Sequence, residues 1–281
     1  MKANGFEFLD KIFTGNIRVT EIVTKDKLRL PGILFEPKKR TKKAMIFLHG
    51  NGDYTLLGGL EKTAVTAQEL AFAGIAYFVF ENRGAHQYHQ IKIKGSKKRY
   101  LGGTAYEKIK DCVKDIDAAV AFLKKNGYKE LYLIGFSTGA NKICVYNYYK
   151  PRNQIAKYVI ACGGDDLGIY YTWLGAKKWR KLFEAAKAKV RRGKGKELVP
   201  QSLLPAVYSY QGIYDILNPD GDYNIFPYNE FFKKLKLSNK PLFRHFKSIK
   251  KPSFVVYGSK DEYSYGKVPQ IVSLLKQQCT A

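Results

Sequence analysis

Gly135-Phe136-Ser137-Thr138-Gly139 constrains the fold of this chain more than any other stretch. It follows a short apolar run, 130–135 (ELYLIG), and opens a helix-length run, 138–149, that stops just before Pro151. Glycine two residues either side of a serine, between a strand and a helix, predicts a sharp reversal of the chain. The glycines let strand and helix approach where a Cβ would clash, and the turn holds the serine in a strained conformation with its hydroxyl clear of the sheet. The helix N-terminus behind it favours negative charge developing beside that hydroxyl.

The rest of the chain fits a sheet built to carry such a turn. Strand-like and helix-like segments alternate through most of the 281 residues, so the expected fold class is α/β: a mostly parallel central sheet with helices on both faces and an inserted cap. Residues 17–35 read as an antiparallel edge hairpin around Lys25-Asp26-Lys27. Buried strands are expected at 44–48, 75–80, 130–135, 155–162 and 253–258, and helices at 60–73, 108–125, 138–149 and 268–278. Residues 167–250 are aromatic, basic and irregular, with Pro200, Pro205, Pro219, Pro227 and Pro241 breaking any long element. The expected organisation is a core of residues 1–166 and 251–281, with 167–250 as the cap.

Two further loops are set in order around the serine. His49-Gly50-Asn51-Gly52-Asp53 follows the first central strand, and backbone N–H groups in such a glycine-containing loop can aim at an oxyanion. Its His49 reads as a buried structural histidine. Gly258-Ser259-Lys260-Asp261-Glu262 follows the last strand and brings a carboxylate to the site-bearing edge of the sheet. In this order the hairpin, the two loops, the serine turn and the insertion resemble the α/β-hydrolase superfamily, nearest its esterase and serine-aminopeptidase-like branch. The resemblance covers essentially the whole chain. It implies Ser137 as nucleophile, the backbone N–H groups of Asn51 and Thr138 as oxyanion donors, Asp261 as the acid, and the cap as the selector of a small-molecule ester, amide or peptide. Some members take their acid one strand earlier, which keeps Asp165 and Asp166 as alternatives.

One part of the family pattern is missing. The catalytic histidine is expected roughly 20–30 residues after Asp261, past one helix and one strand, whereas no histidine follows His245. The expectation is a C-terminally truncated chain lacking the last strand, the histidine and the final helix; the alternative is a complete protein, inactive or served by another base, for which His86 and His89 are the stand-ins. A non-catalytic binding protein that recognises its ligand through the Tyr-rich cap is the rival reading.

Composition narrows the setting. The four cysteines lack paired spacing and read as buried hydrophobes in a reducing compartment. No run approaches the ~18 apolar residues of a membrane span, and residues 1–16 lack the apolar stretch of a secretory signal; a cytoplasmic location is therefore expected. Histidine and cysteine are too few and scattered for a zinc set, and no phosphate-binding glycine motif occurs, so neither metal nor nucleotide cofactor is expected. The net charge of +25 is spread over nearly every segment, which does not mark a specific nucleic-acid binder. Its densest block, 176–197, holds ten Lys/Arg against two Glu and reads as a solvated helical face followed by a turn.

Overall fold

A computed structural model describes residues 7–52 and 54–279. In chain order the elements are α1 (Glu7–Ile12), β1 (Asn16–Val23), β2 (Arg29–Glu36), β3 (Lys43–Leu48), α2 (Leu60–Phe72), β4 (Ile75–Phe80), β5 (His89–Lys92), β6 (Arg99–Gly102), α3 (Cys112–Lys125), β7 (Glu130–Phe136), α4 (Thr138–Tyr149), β8 (Ile155–Ala161), α5 (Asp166–Arg191), α6 (Tyr210–Leu217), α7 (Tyr228–Lys233), α8 (Arg244–Lys247), β9 (Ser253–Val256) and α9 (Val268–Gln278).

Seven strands form one sheet in the order β1-β2-β4-β3-β7-β8-β9. The β1–β2 hairpin is the antiparallel edge, β2 meets β4 antiparallel, and every later pair is parallel. Side chains alternate between the two faces as the strand period dictates. Ile33, Phe35, Tyr77 and Val79 pack under α2, while Leu34, Phe78 and Phe80 join Leu131, Leu133 and the buried faces of α3 and α4. Helices therefore cover both faces, as the alternating pattern predicts.

Register places the chemistry. Leu48 pairs with Gly135, Phe136 with Ala161, and Ala161 with Val256. The four parallel strands thus finish in line, and the loops holding Gly50, Ser137, Cys162 and Asp261 leave the sheet along one edge. The sheet is tied to its surroundings by the buried Arg83, which follows β4. Its guanidinium donates to Asp115 of α3 at 2.7 Å and to Asp26 of the β1–β2 turn at 3.0 Å.

Two features depart from the sequence reading. The short hairpin β5–β6 (89–102) was not foreseen, since few of its residues alternate cleanly. Within 167–250, where prolines were expected to interrupt every long element, α5 runs from Asp166 to Arg191. All five prolines lie beyond it. Its break is instead at Gly175, whose φ of 72° and ψ of 155° lie outside the helical region and kink the helix.

Candidate functional site

Ser137 sits between β7 and α4 with φ 55° and ψ −127°, a conformation that costs a residue with a Cβ of order 1–3 kcal/mol. The surroundings hold it there. Its N–H donates to the Ala161 carbonyl at 3.0 Å, and its own carbonyl accepts from Ala140 at 2.8 Å. Both flanking glycines are required by close backbone approach. A Cβ on Gly135 would collide with the Gly139 carbonyl, and one on Gly139 with the Leu48 carbonyl. The Ser137 side chain is partly exposed.

The loop after β3 packs directly on this serine: a Cβ on Gly50 would lie 3.0 Å from the Ser137 Cβ and 3.4 Å from its Oγ. Asn51 is the next residue, and Thr138 opens α4, where the first N–H groups have no intrahelical acceptor. Ser137, Asn51 and Thr138 are thereby brought together. Asp53 lies outside the described residues.

His49 anchors the loop and is fully engaged. Its ring stacks on Tyr54 at 4.2 Å, Nδ1–H donates to the Gly50 carbonyl at 2.8 Å, and Nε2 accepts from the Asn82 N–H at 3.3 Å. Burial, with the Lys142 charge nearby, holds its pKa well below the usual histidine range, in keeping with this neutral tautomer. Further along, the Gly52 N–H donates to Thr104 Oγ1 at 3.1 Å, which itself donates to the Gly84 carbonyl at 3.1 Å.

A buried ionic network beneath the loop was not read from the sequence. Lys142, on α4, and Glu107 have wholly buried side chains with Nζ and Oε1 2.7 Å apart. Lys142 Nζ also donates to Asn82 Oδ1 at 3.1 Å, and Tyr223 donates to the other Glu107 oxygen at 3.3 Å. The Asn51 side chain lies against the Tyr223 hydroxyl. The signal available was a lysine inside an otherwise apolar helix: ten of the twelve α4 residues are buried, and a lysine there needs a carboxylate.

The carboxylates divide in role. Asp261, half-buried on the same sheet edge, uses Oδ1 to accept the Tyr263 N–H at 3.0 Å and the Ser264 hydroxyl at 2.8 Å, capping its own turn. The Cys162 thiol also lies against it. Asp166 reaches the serine turn directly, accepting from Thr138 Oγ1 at 3.3 Å and Asn141 Nδ2 at 2.8 Å. Loss of solvent, then the neighbouring Asp165 charge, pushes its pKa up to about 7. Asp165 caps α5 through the Gly168 N–H at 2.8 Å and accepts the Asn229 N–H at 2.6 Å; burial raises it to about 6.

Among the described residues no histidine ring hydrogen-bonds Ser137. His86 lies beside Glu81 (Nε2 to Oε2, 3.2 Å), and His89 donates to the Ala85 carbonyl at 2.9 Å. Both follow β4, two strands from β7. His245 is buried against Asp222 at 3.0 Å and packs on Tyr148, at the far end of α4 from Ser137. No group of three or more His, Cys, Asp or Glu side chains suited to a metal occurs among the described residues, and no helix among them is long and apolar enough to cross a membrane.

Sheet order, helices on both faces and a tight serine turn at the end of β7 define the α/β-hydrolase fold, and solved structures share it. An esterase of Pyrococcus furiosus aligns at 19% identity over 96% of this chain and 80% of that one, with a TM-score of 0.52. The siderophore hydrolase EstB of Aspergillus fumigatus aligns at 12% identity over 93% and 84%, with a TM-score of 0.58. An acylaminoacyl peptidase of Pyrococcus horikoshii aligns at 15% over 99% of this chain but 37% of its own length, with a TM-score of 0.53. No curated protein matches in sequence. The chain belongs to the family described as "Protein of unknown function (DUF1749)", which matches residues 19–280.

Proposed function

We propose that this chain is a serine hydrolase that cleaves a carboxylic ester, or an amide or peptide, through an acyl-enzyme on Ser137. The observation that carries the reading is the strained Ser137 conformation with the Gly50-Asn51 loop packed against its hydroxyl. A carbonyl carbon lying over Oγ would point its oxygen at the backbone N–H groups of Asn51 and Thr138. Attack by Oγ, its proton passing to the base of the site, converts the carbonyl to a tetrahedral oxyanion there; collapse breaks the bond to the alcohol or amine, which leaves with that proton, and water, deprotonated by the same base, then hydrolyses the ester to Ser137. Residues 167–250 act as the cap that shapes the acyl and leaving-group sites.

Asp261 is assigned as the acid because it follows the last strand on the edge that carries Ser137. Its partner would be a histidine, for which His86, already paired with Glu81, and His89 are the stand-ins in the sequence. Without a positioned base, donors and binding alone leave an acceleration on the order of 10³–10⁴ over water.

The test is labelling by a fluorophosphonate probe. Ser137 becomes modified, and Ser137→Ala abolishes the label. A folded protein that takes no label at Ser137 refutes the reading in favour of a non-catalytic binding protein. The engagement of Asp261 with its own turn is what supports that rival.

A further inference from the structure

The basic block of α5 is left unexplained by the hydrolase reading. After the kink at Gly175 this helix buries Trp179, Leu182 and Ala186 on one face. The opposite face exposes Lys177, Lys178 and Lys181, none of which has an acidic partner among the described residues. Apolar groups stand exposed beside them. Trp173, just before the kink, is 54% exposed, and Leu203 is 39% exposed. Trp173, Leu203, Lys178 and Lys181 line one open groove of about 380 Å³.

Lysine alone would suit any polyanion, and a nucleic-acid backbone would take the charges without needing the indole or the leucine. An aromatic and an aliphatic side chain exposed between lysines match a bilayer interface instead. There the indole sits at headgroup depth, the leucine enters the acyl boundary, and the ammonium groups meet anionic headgroups. We propose that this face docks on an anionic lipid surface, with Trp173 and Leu203 inserted and Lys177, Lys178 and Lys181 facing the headgroups. Its position adds consequence. Asp166, bound to Thr138 and Asn141 beside the serine, begins the same helix seven residues before Trp173, a rise of about 10 Å. Docking would therefore bring the mouth of the Ser137 site close to the lipid. The docking proposal stands whether or not Ser137 is catalytic.

The test uses the whole chain with phosphatidylcholine vesicles, with and without phosphatidylserine, some carrying brominated acyl chains. The chain has two tryptophans. Trp179 is 6% exposed and stacked on Phe183, so quenching by brominated chains reports Trp173. The expected result is binding that requires phosphatidylserine, quenching that Trp173→Ala abolishes, and weaker partition for Trp173→Ala/Leu203→Ser. Taking about fivefold per lysine, Lys178→Gln/Lys181→Gln should weaken partition roughly 25-fold. Lys38→Gln/Lys39→Gln, exposed on the opposite sheet edge, should change it less than about threefold. No binding, binding without quenching, equal losses from the two lysine pairs, or a preference for duplex DNA over vesicles would each overturn the proposal.

Discussion

Replacing Ser137 by glycine should make the protein more stable than replacing it by alanine. Both substitutions delete the hydroxyl, and Oγ is partly exposed, so its loss is worth within about 0.5 kcal/mol in either variant. They differ in the backbone. At φ 55° and ψ −127° alanine retains the Cβ strain, of order 1–3 kcal/mol, and glycine releases it. Against that, glycine adds about 0.5–1 kcal/mol of conformational entropy to the unfolded chain. The glycine variant should therefore lead by up to about 2.5 kcal/mol, which at 2–4 °C per kcal/mol is up to about 10 °C in Tm. Urea unfolding of the two variants at a shared m-value, with calorimetry as a second probe, reads the difference. A glycine variant equal to or below alanine, with m unchanged, would refute the argument that the native contacts hold residue 137 against its own preference. Both variants should lose fluorophosphonate labelling, so any stability gained is the part of the fold's stability given up to present the hydroxyl.

Gly139→Ala should cost at least about 2 kcal/mol, because its Cβ meets the Leu48 carbonyl, while Gly164→Ala, with open space around it, should change stability by under about 0.5 kcal/mol in the same urea titration. Lys142→Met and Glu107→Gln should each cost about 3–5 kcal/mol by leaving a buried charge unpaired, and the double variant should recover a large share of the summed loss; strict additivity in the double-mutant cycle would show the pair to be uncoupled. Asp166 ionises near 7 in the fold and near 4 when unfolded, so the folded state holds the proton more tightly and this group's stabilisation, complete below pH 4, is lost as pH rises to 7. Asp166→Asn should accordingly gain stability relative to the parent between pH 5 and pH 8, and a flat difference across that range would contradict the burial argument. Under the hydrolase reading, Asp261→Asn should slow acylation of an active form by on the order of 10³-fold or more; a change within about twofold would move the acid to Asp166.

What could be read from the sequence divides along the distance over which each feature is decided. The serine turn was legible because its causes lie within five residues: two glycines, a serine, an apolar run before and a helix after. The strand edges were legible for a similar reason, since each strand closes with its own glycine or polar cluster. The first turns of α5 were not, because residues 166–175, DLGIYYTWLG, carry aromatics that suit strand or helix equally, and tertiary packing against Tyr208 decided the matter. The network of Lys142, Glu107, Asn82 and Tyr223 was hidden for a stronger reason. Its members are separated by up to 141 residues, and only the folded chain brings Lys142 of α4 beside Glu107 and the Asn82 that follows β4. That network bears on how the serine loop is held: Tyr223, from residues 167–250, donates to Glu107 with the Asn51 side chain against its hydroxyl, so this stretch meets the buried Lys142–Glu107 pair beside the loop that holds Asn51. Displacing Tyr223 would take a hydrogen bond from the buried Glu107 carboxylate while leaving its pairing with Lys142 in place. The residues proposed to carry the chemistry were therefore visible one motif at a time, whereas the residues that hold those motifs in mutual register became visible only once the chain was folded.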